Sequence, residues 1–217
     1  MFKPIALPIA AIALAALTAP VLAAPVAAAP VAAPTPSADL QQVQRHLAAV
    51  NTMTATFTQT DRSGKVLTGT LTLKKPGKIR FQYEKGVPIL IVADGNRLWF
   101  LDYSVHQAQA WPIGDSPLSV LLNPNKDISG IATVQPTANP DVLSVEVRDP
   151  KRPQYGRITM IFARSESQPA GLMLQGWVAL DAQNNRTTIR LSDQKFNAPI
   201  SDGAFRWTDP RRQGGRR

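Results

Sequence analysis

Hydrophobic and polar residues alternate along residues 67–83 (LTGTLTLKKPGKIRFQY) with a period of two, which is typical of half-buried β-strands. Pro76 and Gly77 interrupt the alternation and predict a turn between two strands. Lys75 has the same parity as the leucines before it and as Ile79, Phe81 and Tyr83 after it. The pattern therefore predicts an apolar sheet face with a cation at its rim, which suits a fatty ligand or a closing lid better than a catalytic centre.

The same period of two recurs from Thr52 onward and predicts a series of short strands. Residues 88–92 (PILIV) are apolar without interruption, which predicts a strand that is covered on both faces. The alternation along residues 172–180 predicts a strand with two different faces. One face is expected to carry Leu172, Leu174, Val178 and Leu180, and the opposite face Met173 and Trp177. Short turns such as Asp94-Gly95 join consecutive strands, so we expect an antiparallel meander.

Two segments have helical rather than strand periodicity. Ser37 or Asp39 is expected to cap a first helix, whose apolar stripe consists of Leu40, Val43, Leu47 and Val50. His46 lies off this stripe, which predicts a solvent-exposed side chain. Asp115, Ser116 and Pro117 predict the start of a short second helix, and its apolar side consists of Leu118, Leu121 and Leu122.

These elements predict an α+β fold that is mainly β, with a curved antiparallel sheet and helices over its concave apolar face. Both helices are amphipathic, so they can cover the face that the strands leave apolar. The enclosed volume is then either a packed core or a ligand cavity. The pattern of residues fits both alternatives equally.

The first residues have the features of a secretory signal peptide. An apolar run follows Lys3, and Val21-Leu22-Ala23 offers small residues for cleavage before Ala24. An uncleaved membrane anchor is the alternative, but prolines interrupt the run. We therefore predict a cleaved signal peptide at residues 1–23, an Ala/Pro-rich tether at 24–38, a folded domain at 39–210 and a basic disordered tail at 211–217.

The composition excludes several classes of function. The chain contains no cysteine, which rules out disulfides, thiolate metal sites and cysteine nucleophiles. Its net charge is +9, but without Lys3 and the four arginines of the tail 19 basic residues remain against 15 acidic ones. No basic stripe is interleaved with aromatic residues, so we expect no nucleic-acid partner. The tail is expected to be solvated, with weak attraction to anionic lipid headgroups as the alternative.

The sequence contains no recognisable catalytic or metal-binding motif. Its two histidines, His46 and His106, have no second histidine or cysteine at metal-ligand spacing, and no nucleophile elbow or glycine-rich phosphate loop is present. Most acidic residues lie at predicted turns, where they are expected to bond the local backbone, as at Asp61, Asp94, Asp149, Asp181, Asp193 and Asp202. We therefore predict a protein that is not an enzyme and that needs no metal or cofactor.

Several segments in this order resemble one known family. FTQT (57–60) is followed by LTLKKPGKIRFQY (71–83), IVADGNRLWFLD (91–102), DSPLSVLL (115–122) and FRW (205–207). Together they resemble the outer-membrane lipoprotein carrier family, LolA, over residues 39–210. The basic-Pro-Gly-x-x-Arg-Phe-x-Tyr and Asp-Gly-x-x-Leu-Trp-Phe segments are the most specific parts, and the pair is more specific than either segment alone.

The resemblance implies an incomplete β-barrel with a helical lid, which binds the acyl chains of lipoproteins in the periplasm. An inner-membrane ABC lipoprotein exporter would load this chaperone, which is expected to be a monomer, and an outer-membrane acceptor would unload it. The family has an arginine before the proline that holds the lid shut, and Lys75 occupies this position as the lid latch. The ligand-binding residues would be Leu71, Leu73, Ile79, Phe81, Tyr83, Phe100, Leu118 and Leu121.

Other functions remain open on the residues alone. An apolar cavity recognises the size of an acyl chain and not the headgroup of the lipid, so a periplasmic carrier of another lipid is one alternative. A regulatory protein that senses lipid or lipoprotein is another, although it would usually need a second domain. An enzyme that acts on lipids would require an acid–base pair in the cavity, and a β-domain with a solid core would bind nothing.

Overall fold

The computed structural model describes residues 37–115 and 118–215. The predicted signal peptide and nearly all of the predicted tether lie outside the described residues, as do Ser116 and Pro117 of the second predicted helix start. Within the described residues, no helix is long and apolar enough to cross a membrane. The helices and strands are α1 Ala38–Ala49, β1 Thr52–Thr60, β2 Val66–Lys74, β3 Lys78–Tyr83, β4 Ile89–Asp94, β5 Arg97–Asp102, β6 Gln107–Pro112, α2 Ser119–Leu122, β7 Ala132–Gln135, β8 Val142–Arg148, β9 Arg157–Arg164, β10 Leu172–Leu180 and β11 Arg186–Phe196.

All eleven strands form one antiparallel sheet with the order β6-β5-β4-β3-β2-β1-β11-β10-β9-β8-β7. Every neighbour in this order is the next strand along the chain, except that β1 pairs with β11 and so joins the two ends of the domain. The sheet is curved and does not close, because β6 and β7 are its two edges. The predicted fold class, a mainly β protein with an incomplete barrel, is confirmed.

Strand register explains why the predicted apolar face is continuous. Leu71 on β2 lies opposite Phe81 on β3, and Leu73 lies opposite Ile79, so residues of equal parity meet across the strands. At Gly69 the missing side chain makes room for the Phe57 ring of β1, since a Cβ there would lie 2.8 Å from that ring. The concave face thus packs as a single apolar surface.

The predicted faces of β10 are wrong beyond Leu174. A register shift against β9 falls between Leu174 and Gly176, and it reverses the parity of the residues that follow. Trp177 is therefore buried in the main core together with Leu172 and Leu174, while Val178 and Leu180 lie on the other face. The prediction treated residues 172–180 as one uninterrupted strand, whereas the structure has a bulge between Leu174 and Gly176.

A segment that follows the last strand, residues 199–209, covers part of the convex face and is here named the C-terminal strap. Phe205 of the strap is buried against Leu90, Val92 and Leu101 in a second, smaller apolar cluster. The other face of β4 packs against the main core through Ala93. The prediction that residues 88–92 form a strand covered on both faces is confirmed.

Polar contacts hold the C-terminal strap to the sheet. The ammonium groups of Lys74 and Lys78 both bond Asp202, at 2.8 and 2.9 Å. The Arg80 guanidinium donates to the backbone carbonyl of Arg206, at 2.9 Å. Beyond the strap, residues Pro210–Gly215 form a 3-10 helix. The first five residues of the predicted disordered tail therefore have regular structure, and its last two lie outside the described residues.

Candidate functional site

The concave apolar face is covered by the two predicted helices. Ser37 caps α1 by accepting a hydrogen bond from the Leu40 backbone N–H, at 3.2 Å. The predicted stripe of α1 is buried against the sheet. The short α2 buries all four of its side chains, three of which are apolar. Both helices therefore fill the volume that the curved sheet encloses.

Six of the eight predicted ligand-binding residues lie in this closed core. Each of them is at most 4% exposed; they are Leu71, Leu73, Ile79, Phe81, Tyr83 and Leu121. Leu118, which precedes α2, is half-buried and packs against the same core. Phe100 is half-buried on β5, opposite Ile91 of β4. The structure thus brings seven of the eight into one cluster and leaves Phe100 at its side.

Towards β6 the concave face becomes accessible to solvent. Leu98 and Phe100 on β5 are only half-buried, and Trp111 on β6, which pairs with Leu98, is 48% exposed. These three residues share the parity of the core face and are here named the apolar lip. The closed core therefore continues into a partly open apolar surface at one edge of the sheet.

Four aromatic rings form the floor of the core. Phe57 makes edge-to-face contacts with Phe81 and Tyr83, with ring centroids 5.4 and 5.2 Å apart, and Phe81 contacts Trp177 at 6.2 Å. The Tyr83 hydroxyl donates to Gln59 at 2.7 Å, and burial raises the pKa of Tyr83 to about 12. The tyrosine therefore stays neutral, with its one polar atom satisfied at the edge of an apolar surface. Trp177 was absent from the predicted site because of the bulge in β10.

The turn between β2 and β3 contacts both helices. The Lys75 ammonium donates a hydrogen bond to the backbone carbonyl of Leu47 in the last turn of α1. Two residues later, the Gly77 backbone N–H donates to the carbonyl of Leu122 at the end of α2, at 3.0 Å. Burial lowers the pKa of Lys75 to about 8. The predicted position of Lys75 at the rim of the apolar face agrees with where the side chain lies.

These contacts satisfy carbonyls that the end of a helix leaves without intrahelical partners. Leu47 lies in the last turn of α1, and its carbonyl receives the Lys75 ammonium. The Ala49 carbonyl receives the side-chain amide of Asn197, at 3.0 Å, and the oxygen of the same amide accepts from the Asn51 N–H at 2.8 Å. Asn197 follows β11, so sequence reasoning had no local signal for this role.

A second, polar stripe of α1 faces the connection between β9 and β10. Arg164 bonds both Asp39 and Gln42, at 2.7 and 2.8 Å, and Gln42 donates to the carbonyl of Ala170 at 3.0 Å. His46 continues this stripe, and its Nδ1 lies 2.7 Å from the carbonyl oxygen of Pro169. The stripe attaches the lid helix along its side, in addition to the contacts at its end.

The prediction that His46 is solvent-exposed is wrong. Its side chain is 2% exposed, because the connection that contains Pro169 covers the polar side of α1. Burial lowers the pKa of His46, and the nearby charge of Lys75 lowers it further, against the opposing effect of the bond to Pro169. The imidazole is therefore neutral at pH 7. Helical periodicity identified the apolar stripe but contained no information about this tertiary contact.

The described residues contain no cluster of three or more His, Asp or Glu side chains that could hold a metal ion. Asp61, Asp94 and Asp181 accept hydrogen bonds from backbone N–H groups of their own turns, as predicted. The prediction is wrong for two other aspartates, because Asp193 lies within β11 and Asp202 bonds the ammonium groups of Lys74 and Lys78. Ser119 is buried on α2 and accepts from the Lys126 ammonium at 2.7 Å. This pair was not predicted, and it ties the start of α2 to the loop that follows.

Comparisons with known sequences give one family along nearly the whole domain. The family model described as outer membrane lipoprotein carrier protein LolA matches residues 48–208. Proteins named outer-membrane lipoprotein carrier protein from Chromobacterium violaceum and Dechloromonas aromatica are 29% and 26% identical; the alignments cover 82% and 79% of this chain and 87% and 84% of the relatives. A solved structure of a conserved protein from Thermus thermophilus has a TM-score of 0.49 at 10% identity, covering 79% of this chain and 95% of that one. The chain belongs to the outer-membrane lipoprotein carrier (LolA) family.

Proposed function

We propose that this protein is a periplasmic chaperone that binds the acyl chains of lipoproteins and carries them from the inner to the outer membrane. The observation that carries the proposal is a concave apolar sheet face, closed by two helices and continued by a half-exposed apolar lip. The relatives named as lipoprotein carriers support it over most of the chain. We propose no catalytic role, because the relatives are named as carriers and the sequence contains no recognisable catalytic motif.

The energies of burial favour partial and reversible binding. An acyl chain of about 15 methylenes gains on the order of 12 kcal/mol when buried, and three would gain about 36, which exceeds the roughly 18–21 kcal/mol at which non-covalent affinities saturate. Part of the free energy gained by burying acyl chains is offset, because the cargo must displace the helix side chains that fill the core of the empty protein. Burial of each of these side chains contributes about 1.5–3 kcal/mol. There are six of them: Leu40, Val43, Leu47, Val120, Leu121 and Leu122. Displacing these side chains costs about 9–18 kcal/mol, which leaves roughly 18–27 kcal/mol for three fully buried acyl chains. We therefore expect the acyl chains to be buried only in part, since release requires a lower net affinity.

We further propose that acyl chains enter over the apolar lip and then contact the predicted ligand-binding residues of the sheet as the helices move away. In this proposal Lys75 is the lid latch. Its bond to Leu47 holds the end of α1 against the rim and must break when α1 leaves. A lysine donates to a single carbonyl through a flexible stem, so it makes a latch with fewer bonds than the fork of an arginine.

The cycle needs a donor and an acceptor, since loading must displace the helices from the core. We propose an inner-membrane ABC exporter as the source of that free energy. We propose an outer-membrane acceptor, whose more apolar site makes unloading downhill.

Native mass spectrometry tests the carrier function directly. An acylated lipoprotein in inner-membrane vesicles is offered to the protein without detergent, and the same lipoprotein without its acyl chains is the control. A soluble one-to-one complex with the acylated form alone is the expected result. Free lipid adducts without lipoprotein uptake would favour a carrier of another lipid, and the absence of any adduct would contradict the proposal.

A substitution in the apolar lip tests the proposed entrance. Phe100 is half-buried, so Phe100→Ser should leave the closed core intact and reduce lipoprotein uptake by about tenfold, as expected when roughly 1.5 kcal/mol of apolar contact is lost. Val66→Ser is the matched control, because Val66 is an exposed apolar residue of β2, 56% exposed. Equal uptake by the two variants would show that acyl chains do not pass over the lip.

A further inference from the structure

His46 is a buried titratable group in the lid helix, and binding of acyl chains gives it no role. Its imidazole makes edge-to-face contacts with Phe162 of β9 and Phe196 of β11, with centroids 5.4 and 6.0 Å apart. Nδ1 bonds the Pro169 carbonyl, which can only accept, so Nδ1 carries the proton of the neutral ring. The ring therefore joins α1 to two strands and to the β9–β10 connection in its uncharged form.

A second proton would place a positive charge in this contact. Lys75 reaches the same end of α1 from the β2–β3 turn, and its charge disfavours a protonated ring. Arg164 of β9, which bonds the polar stripe of α1, is paired with Asp39 near the start of the helix. Within the part of the chain that the structure describes, the ring also contacts two aromatic side chains and a backbone carbonyl that is already bonded. Detachment of α1 would expose the imidazolium to water and relieve this cost.

We propose that protonation of His46 releases α1 from the sheet, so that the lid loosens in acid. The sign follows from the two forms of the lid. In a detached helix the imidazole titrates near its ordinary pKa of about 6.5, whereas burial lowers the pKa of His46 in the closed lid. Closure is thus complete above about pH 6.5 and weakens as the pH falls below it. One proton is taken up, so the closed-to-open ratio falls by at most about tenfold per pH unit. This inference concerns the empty protein and does not depend on the proposed cargo.

Hydrogen exchange of the α1 backbone amides, measured by mass spectrometry at pH 7.5 and 5.5 and corrected for intrinsic rates, tests the proposal. A detached helix of 12 residues is marginal in water, so detachment exposes its amides. The native protein should lose up to about tenfold protection per pH unit below 6.5. His46→Gln keeps a donor for Pro169 but cannot become charged, and should lose none. His106→Gln, at an exposed turn, should behave as the native protein.

Equal protection at both pH values in the native protein would overturn the proposal, and so would an equal loss in His46→Gln. Should that variant fail to fold, NMR titration of the native protein decides, since only two imidazoles need to be resolved. A His46 pKa below 6.5 in the native protein, with α1 protection lost between pH 6.5 and that pKa, supports the proposal. A pKa at or above 6.5, or a loss of protection that begins outside this interval, refutes it. A failed lipoprotein transfer leaves this result unaffected, because the exchange experiment contains no cargo.

Discussion

Lys75 should make the stability of this protein rise in mildly alkaline solution. Burial lowers the pKa of Lys75 from 10.5 to about 8 in the folded protein. Between these two pH values the unfolded chain keeps a proton that the folded protein has lost, so folding becomes more favourable as the pH rises. This sign is opposite to that of a lysine in an ion pair, whose stabilisation is lost as the pH rises.

The size of the effect follows from the two pKa values. From pH 7 to pH 9.5, a shift from 10.5 to about 8 adds about 2 kcal/mol to the free energy of unfolding. At pH 7 the charged side chain faces two opposing effects of similar size. The shift corresponds to a cost of about 3.4 kcal/mol, and a hydrogen bond from a charged donor contributes about 1.5–3 kcal/mol. We therefore expect Lys75→Met to change stability at pH 7 by no more than about 1–2 kcal/mol.

Urea unfolding followed by tryptophan fluorescence, at pH 7 and pH 9.5, measures this difference in the native protein and in Lys75→Met. All other titrating groups contribute equally to the native protein and to the variant. Between pH 7 and pH 9.5 the free energy of unfolding of the native protein should therefore rise by about 2 kcal/mol more than that of the variant. Lys65→Met, at an exposed position in the β1–β2 turn, is the matched control and should behave as the native protein. If the native protein and Lys75→Met gain equally, Lys75 is not held in the buried contact with Leu47, and its role as a latch is refuted.

Two further predictions concern the parts that position the lid. Gly77 has a φ of +75°, and a Cβ there would lie 2.7 Å from the Gly95 carbonyl oxygen. Gly77→Ala should therefore destabilise the protein by about 2 kcal/mol or more in urea unfolding. Gly114→Ala is the control and should be nearly neutral, because a Cβ at Gly114 meets no atom within 4 Å. Phe205→Ala should cost about 3–5 kcal/mol by removing the buried anchor of the C-terminal strap; unchanged stability, or unchanged protease sensitivity of the strap, would contradict this.

The sheet could be predicted because one face of nearly every strand is buried, which makes the period of two visible in the sequence. The exception is β10, where the shift between Leu174 and Gly176 reverses the parity and brings Trp177 inside. Gly176 has a φ of +148° and approaches the backbone of β11 closely, so a glycine was the only local sign of the irregularity. Parity alone fails wherever a bulge adds one residue.

The lid contacts were harder to predict because each joins residues far apart in the chain. Parity placed Lys75 at the rim of the apolar face, but its acceptor is a carbonyl at the end of α1. His46 looked solvent-exposed because helical periodicity reports only the apolar stripe, whereas residues 169–171 cover the polar one. The uninterrupted run in β4 predicted cover on both faces, yet nothing in that run identified the C-terminal strap as the second cover.

The β2–β3 turn holds the two halves of the lid by separate bonds, and this separation has a functional consequence. Lys75 bonds α1 and Gly77 bonds α2, so either helix can leave without breaking the other's contact with the turn. The stretch that contains α2 continues from the edge strand β6, where Trp111 and the apolar lip lie, whereas α1 is attached through His46 to the opposite half of the sheet. We therefore expect cargo that enters over the lip to move α2 first and protonation of His46 to act on α1. Exchange measured separately for the two helices distinguishes this order from a lid that opens as one unit.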